Sequence, residues 1–182
     1  MTGVVRLTLV SHAMTDAMAA ARFSADEPLN DSGCRQAAGG FEIKSGTRQL
    51  TAPERRARQT AQLLGMRPVT EPRLADVDCG RWRGSTLQSV PRADLDVWLT
   101  DPVQAPHGGE SIVDLVGRVA AWMASLTTDA SHTVAVTHPA VVRAAILTAL
   151  DASPNAFWRI DIKPLSRTVL HRRGAAWTLR MQ

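Results

Sequence analysis

Hydrophobic residues in this chain come in short blocks with two kinds of spacing. The first block, Val4-Val5-Arg6-Leu7-Thr8-Leu9-Val10, is apolar, β-branched and of strand length, and it stops at the polar pair Ser11-His12. Residues 13–22 are rich in helix formers and predict a helix start. Asp26 to Asn30 reads as a loop. Asp31 or Ser32 fits the N-cap of a short helix through Ala38, closed by Gly39-Gly40. Phe41 to Gly46 reads as a turn region, and Arg48 to Ala52 as a second strand ended by Pro53. From Glu54 to Leu64 helix formers run unbroken up to Gly65, with Ala57, Ala61 and Leu64 on one face and Arg55, Arg58 and Gln62 on another. Pro68-Val69-Thr70 suggests a third strand. Leu74 to Gly109 is rich in loops, with a helical stretch around Asp94 to Leu99. Glu110 to Leu126 is the clearest amphipathic helix, with Val113, Val116, Val119 or Ala120, Met123 and Leu126 at helical spacing. His132 to Thr137 is a buried-type strand ending at His138-Pro139, and a helix from Ala140 to Leu150 follows. Leu165 to Arg172 and Ala176 to Arg180, around Gly174, read as a terminal hairpin.

Strands alternating with helices predict an α/β fold: a three-layer α/β/α sandwich on a mostly parallel central sheet. One domain over residues 1–182 is expected, long enough for a sizeable core. The middle is then a functional insertion, with residues 84–109 shaping specificity. The composition, 45% hydrophobic and 21% charged, is that of a globular protein. No apolar run reaches the roughly 18 residues of a membrane span, and the N-terminal block is a strand without signal-peptide layout. The expected location is cytoplasmic, with no membrane partner. Cys34 and Cys79 have no paired spacing, so neither a metal site nor a disulfide is expected, and both read as small buried hydrophobes. The net charge of +4 comes almost wholly from arginine, since Lys44 and Lys163 are the only lysines. Guanidinium groups grip phosphate with two parallel hydrogen bonds, so the balance suits an anionic ligand. The densest basic cluster is only Arg55-Arg56-Ala57-Arg58, and aromatics make up 4% of the chain, which argues against nucleic acid as partner.

Two strands end alike, in Val10-Ser11-His12 and Val136-Thr137-His138. In an α/β sheet ligands bind beyond the carboxyl ends of the strands, so both histidines face a crevice there. Between them in sequence lies a helix start rich in arginine, an end that collects phosphate through free N–H groups and guanidinium forks. A histidine pair with arginine suits phosphoryl transfer. One neutral imidazole attacks phosphorus, the cations hold the equatorial oxygens, and an acid protonates the leaving oxygen.

These stretches resemble the signatures of the histidine phosphatase superfamily, which includes cofactor-dependent phosphoglycerate mutases and small phosphatases. Leu9 to Thr15 sits where the family has Leu-Val-Arg-His-Gly-Glu-Thr. Residues 26–37 match D-x-P-L-T-x-x-G-x-x-Q-A, and residues 52–61 match S-P-L-x-R-A-x-Q-T-A. Residues 74–84 match L-x-E-x-x-x-G-x-W-E-G, Gly108 to Ser111 matches G-G-E-S, and Val136 to His138 matches the second histidine's signature. The resemblance implies His12 as the nucleophile that becomes phosphohistidine, His138 as a phosphate ligand and Arg56 as an oxyanion clamp. It implies Asp76 at the acid/base position, with Glu110 as its rival, and no metal or other cofactor. Ser11, Thr15, Arg83, Glu110 and His107 are the candidates for substrate binding.

The chain departs from the family at Ser11, which replaces the signature arginine, and at Ala13, Ala52, Asp76 and Pro139. Arg83 or Arg81 is expected to supply the charge that Ser11 lacks. The leading function is hydrolysis of a small phosphomonoester, at reduced rate. The alternative is a pseudoenzyme or repurposed member that binds an anionic ligand or partner without turnover, and mutase chemistry ranks below both. Substrate identity and oligomeric state, a homodimer included, are left open.

Overall fold

The computed structural model describes residues 3–40, 42–130 and 132–181. The chain runs β1 (Val5–Ser11), α1 (Asp16–Ala19), α2 (Asp31–Ala37), β2 (Arg48–Thr51), α3 (Arg55–Leu63), β3 (Val69–Thr70), α4 (Arg92–Thr100), α5 (Ile112–Ala124), β4 (His132–Thr137), α6 (Pro139–Leu150), β5 (Arg167–Arg173) and β6 (Ala176–Arg180). The six strands form one sheet in the order β3-β2-β4-β1-β5-β6. β3, β2, β4 and β1 pair in parallel, and the terminal hairpin adds β5 and β6 antiparallel. The predicted α/β class and mostly parallel sheet hold.

Crossovers from β1 to β2 and from β2 to β3 move one way along the sheet, and the return to β4 moves the other way. Right-handed connections then put α2 and α3 on one face and α5 on the other. α6 packs beside α5. Strands covered on both faces are apolar throughout rather than alternating, and five of the six β4 residues are buried. The core runs from Leu7 and Leu9 through Val134 and Val136 to Leu115, Trp122 and Leu147.

Several boundaries differ from expectation. The helix predicted over 13–22 is only one turn, capped by Thr15, whose Oγ1 accepts the Met18 N–H. Helix propensity loses to tertiary pairing, because Phe23 N–H donates to the Ser85 carbonyl and Gly84 N–H to the Phe23 carbonyl. The α2 cap is Asn30 rather than Asp31 or Ser32, its Oδ1 accepting the Gly33 N–H at 2.9 Å. The buried stripe of α5 is Ile112, Leu115, Val119, Trp122 and Met123, whereas Val113 is exposed. Counting from Val113 starts the stripe one position late and misses Trp122, the largest apolar anchor of the helix. Of the expected turn region from Phe41 to Gly46, Phe41 lies outside the described residues. No helix among the described residues is long and apolar enough to cross a membrane.

Candidate active site

β1 and β4 pair in register, Ser11 opposite Thr137, so the next residue of each strand is a histidine. The His12 N–H donates to the Thr137 carbonyl at 2.9 Å and carries the pairing one step further. The two imidazole rings lie 5.2 Å apart between centroids. The chain leaves β1 toward α2 and leaves β4 into α6, helices on opposite faces, and the crevice between such strands is where open α/β sheets bind ligands.

His12 is buried, and its Nδ1–H donates to the Ala13 carbonyl at 2.7 Å. A carbonyl only accepts, so the neutral ring carries its proton on Nδ1 and its lone pair on Nε2. Burial, reinforced by His138 and Arg56, pushes its pKa down to about 3. His12 is therefore a neutral imidazole across the physiological range.

Arg56 comes from the first turn of α3 and is 1% exposed. Its Nη1 donates to the Ala25 carbonyl at 2.6 Å and its Nη2 to Asp76 Oδ2 at 2.5 Å. Its Nε is buried without a hydrogen-bond partner among the described residues. Asp76 follows a 3-10 turn over Pro72–Leu74. Burial raises its pKa, but His138, Arg56 and His12 together outweigh that and hold it below the usual carboxylate range. The two backbone ends are tied as well: Thr60 Oγ1, on the next turn of α3, accepts the Ala13 N–H at 3.0 Å.

His138 sits between two carboxylates. Its Nε2–H donates to Glu54 Oε2 at 2.7 Å, and its Nδ1 lies 3.5 Å from Asp76 Oδ2. Glu54 Oε1 also accepts the Asp76 N–H at 3.0 Å. Burial raises the Glu54 pKa, while the His138 hydrogen bond and charge and the Asp76 N–H lower it further, leaving it an anion. Sequence reasoning passes over Glu54 because a glutamate at a helix start has an ordinary electrostatic explanation. The available signal was a carboxylate in the leucine slot of an otherwise matched S-P-L-x-R stretch.

His12 and Asp76 line a cavity of about 510 Å³. A second cleft of about 490 Å³ lies on the other side of Asp76, bordered by Glu54, Asp78, Arg83, Glu110 and Arg118. The structure thus brings His12, His138, Arg56 and Asp76 together and disperses the remaining candidates. Ser11 is fully buried, its hydroxyl has no partner among the described residues, and it does not line the cavity. Thr15 is occupied as a helix cap. Glu110 faces the second cleft, where Arg118 grips both its oxygens at 2.8 and 2.7 Å. His107 is buried against Trp82 and Trp98, with Nδ1 accepting the Gly109 N–H, and does not reach the cavity. Arg83 pairs with Asp78 and Arg81 with Asp94, all four side chains exposed, and neither arginine lines the cavity.

The cations that do line it are Arg22 and Arg143. Arg143 projects from α6, where its Nε–H donates to the Ile160 carbonyl at 2.7 Å and its guanidinium lies over Phe157 and Trp158. A single arginine in the apolar run Ala140 to Leu150 was the sequence signal for it, since arginine is almost never buried without a partner. Cys79 also lines the cavity, but burial pushes its thiol up to about 12, so it is no nucleophile at neutral pH. Among the described residues no cluster of three or more His, Cys, Asp or Glu could hold a metal ion.

A sequence profile described as the histidine phosphatase superfamily (branch 1) matches residues 7–182. A bifunctional protein of Mycobacterium tuberculosis is 28% identical over 94% of this chain and 52% of its own length. A glucosyl-3-phosphoglycerate phosphatase of Mycolicibacterium vanbaalenii is 37% identical over 63% of this chain and 56% of its own. The chain thus spans about half the length of these curated relatives. Among solved structures, a mycobacterial glucosyl-3-phosphoglycerate phosphatase in complex with VO3 superposes with a TM-score of 0.78 at 26% identity, covering 97% of each chain. An Entamoeba histolytica phosphoserine phosphatase variant in complex with phosphoserine superposes with a TM-score of 0.84 at 20% identity, covering 97% of this chain and 95% of the other, a likeness of fold.

Proposed function

Because the chain belongs to the histidine phosphatase superfamily, we propose that it hydrolyses phosphomonoesters through a phosphohistidine formed at His12. One observation carries the reading: His12 is a neutral imidazole whose Nδ1–H is fixed on a carbonyl, which leaves Nε2 as the nucleophile on a ring that lines the cavity. The Nε2 lone pair forms the N–P bond as the P–O bond to the alcohol breaks. Asp76 delivers a proton to the departing oxygen. Water then attacks phosphorus, Asp76 takes the water's proton back, and inorganic phosphate leaves with His12 restored.

Asp76 is ionised in the free protein, so it must take up a proton from solvent when the substrate binds. A phosphate dianion beside it brings like charge and raises its affinity for a proton. Arg56 Nε, a buried N–H left without a hydrogen-bond partner among the described residues, is a donor available to a phosphate oxygen. Arg143 adds positive charge on the wall of the same cavity, which Arg83 and Arg81 do not line. Two of the named relatives are glucosyl-3-phosphoglycerate phosphatases, which favours turnover over a role in binding alone.

The test is hydrolysis of p-nitrophenyl phosphate from pH 4 to 8, wild type beside His12→Ala. Wild-type kcat/KM should fall as pH rises from 5 to 8, as the protonated form of Asp76 becomes rarer. It should show no loss between pH 7 and 5, because His12 does not titrate there. His12→Ala should lose at least about a thousandfold, together with the acid-labile phosphoenzyme seen after a radiolabelled pulse. Turnover retained in His12→Ala rules out the phosphohistidine route.

A further inference from the structure

The cavity beside His12 is built for an apolar occupant. Its walls carry Phe23, Leu95, Trp98, Leu99, Trp158 and Ile162, contributed by the segment after α1, by α4 and by the stretch after α6. Among the described lining residues Asp76 is the only acid and Ser24 the only hydroxyl, and there is no Asn, Gln, Thr or Tyr. The aromatic wall is already packed. Trp98 and Trp158 rings lie 4.4 Å apart, Phe23 lies 5.4 Å from Trp98, and the Arg143 guanidinium lies over Trp158. At the mouth, Leu87 and Leu99 are 40% and 44% exposed, an arrangement that leaves apolar surface in water. The volume of about 510 Å³ is that of a small-molecule site and exceeds what a phosphate group alone needs.

We propose that this cavity receives the alcohol portion of the substrate and selects an uncharged, apolar one: an aromatic or aliphatic alkyl phosphomonoester. The inference rests on the reading of His12 as the acceptor of the phosphoryl group. An ammonium, carboxylate or sugar hydroxyl carried into these walls loses water and finds few partners, whereas a ring or chain removes apolar surface from water on both sides. Arg22 and Arg143 are the only cations among the described lining residues, and Arg143 is held by the Ile160 carbonyl and the Phe157 and Trp158 rings.

The experiment separates binding from chemistry. Binding is measured by calorimetry on the wild-type protein with two non-hydrolysable phosphonates. One is 3-phenylpropylphosphonate, the isostere of 2-phenylethyl phosphate, and the other is 2-amino-4-phosphonobutyrate, the isostere of phosphoserine. Turnover is measured on 2-phenylethyl phosphate, phosphoserine and sn-glycerol 3-phosphate, all esters of primary alcohols, so leaving-group reactivity does not set the order. The phenyl compound should bind and turn over at least about tenfold better. Leu99→Asp, at the exposed mouth, should weaken the phenylpropylphosphonate severalfold and leave binding of inorganic phosphate unchanged. Equal or tighter binding of the amino acid isostere overturns the inference and leaves the phosphatase reading intact, and so does a Leu99→Asp protein that binds the phenyl compound as before. The expected order of binding with no hydrolysis of any ester supports the apolar site and refutes the phosphatase reading.

Discussion

Glu54 holds two parts of the site at once, His138 through one carboxylate oxygen and the Asp76 backbone through the other. Neither contact touches the reacting atoms, so Glu54 is a positioning residue. Replacing it by leucine, the residue of the family signature, removes both contacts and frees the His138 ring. A misplacement of about 1 Å at a reacting group costs on the order of a hundredfold. Glu54→Leu should therefore lower kcat ten- to a hundredfold with KM nearly unchanged, and Glu54→Gln, which keeps one acceptor oxygen, should recover part of the loss. Steady-state kinetics on the two variants decides it, and a kcat equal to wild type in Glu54→Leu contradicts the role. His12 and His138 were legible in the sequence because each follows the end of a buried strand, and the resemblance singled out Arg56 from Arg55 and Arg58. Glu54 and Arg143 were not, because their roles come from partners 84 and 17 residues away in sequence. Arg83 and Arg81, expected as charge donors, pair instead with the exposed carboxylates Asp78 and Asp94.

The loop carrying His12 rests on the backbone of α2. A Cβ added at Gly33 would lie 2.2 Å from the Met14 carbonyl oxygen, and Asn30 N–H donates to that same oxygen at 3.1 Å. The neighbouring atoms are backbone and cannot step aside. Gly33→Ala should cost about 1–3 kcal/mol, as overpacking does, and should lower turnover because the displaced segment is the one after His12. Thermal denaturation beside kinetics measures both, and an unshifted melting temperature argues against the close approach. Strands and long helices were legible from their spacing. The short α1 was not, because Phe23 and Gly84 pair across 61 residues and pull the chain out of helix. That pairing also brings Leu87 to the cavity wall.

The fold as a whole must answer to pH through its buried charges. His12 has a folded pKa of about 3 against 6.5 when unfolded. Between those values the unfolded chain holds the extra proton, so stability rises with pH across that window. Acidification from pH 6.5 toward 3 should remove about 1.4 kcal/mol per unit from this group. Asp76 and Glu54, both held below the usual carboxylate range, act in the same direction, their contribution lost as pH falls through their folded pKa values. Wild type should therefore lose stability steeply below pH 6.5, and His12→Ala should lose less over pH 6.5 to 5, where Asp76 and Glu54 remain ionised. Urea midpoints at four pH values in that range test this, and parallel curves for the two proteins refute it.

The separation of the two imidazoles is a dimension of the sheet. Neighbouring strands stand about 4.8 Å apart, and the rings, one step beyond paired residues on β1 and β4, keep 5.2 Å. The strand pairing sets the distance between the two backbones, and Glu54 and the Ala13 carbonyl hold the rings on it. On the phosphatase reading, the reacting pair is spaced by backbone pairing, while the proposed selecting walls come from segments outside that pairing. A lineage, or an engineer, can therefore recut the walls around the phosphate again and again while the gauge that grips it stays the same.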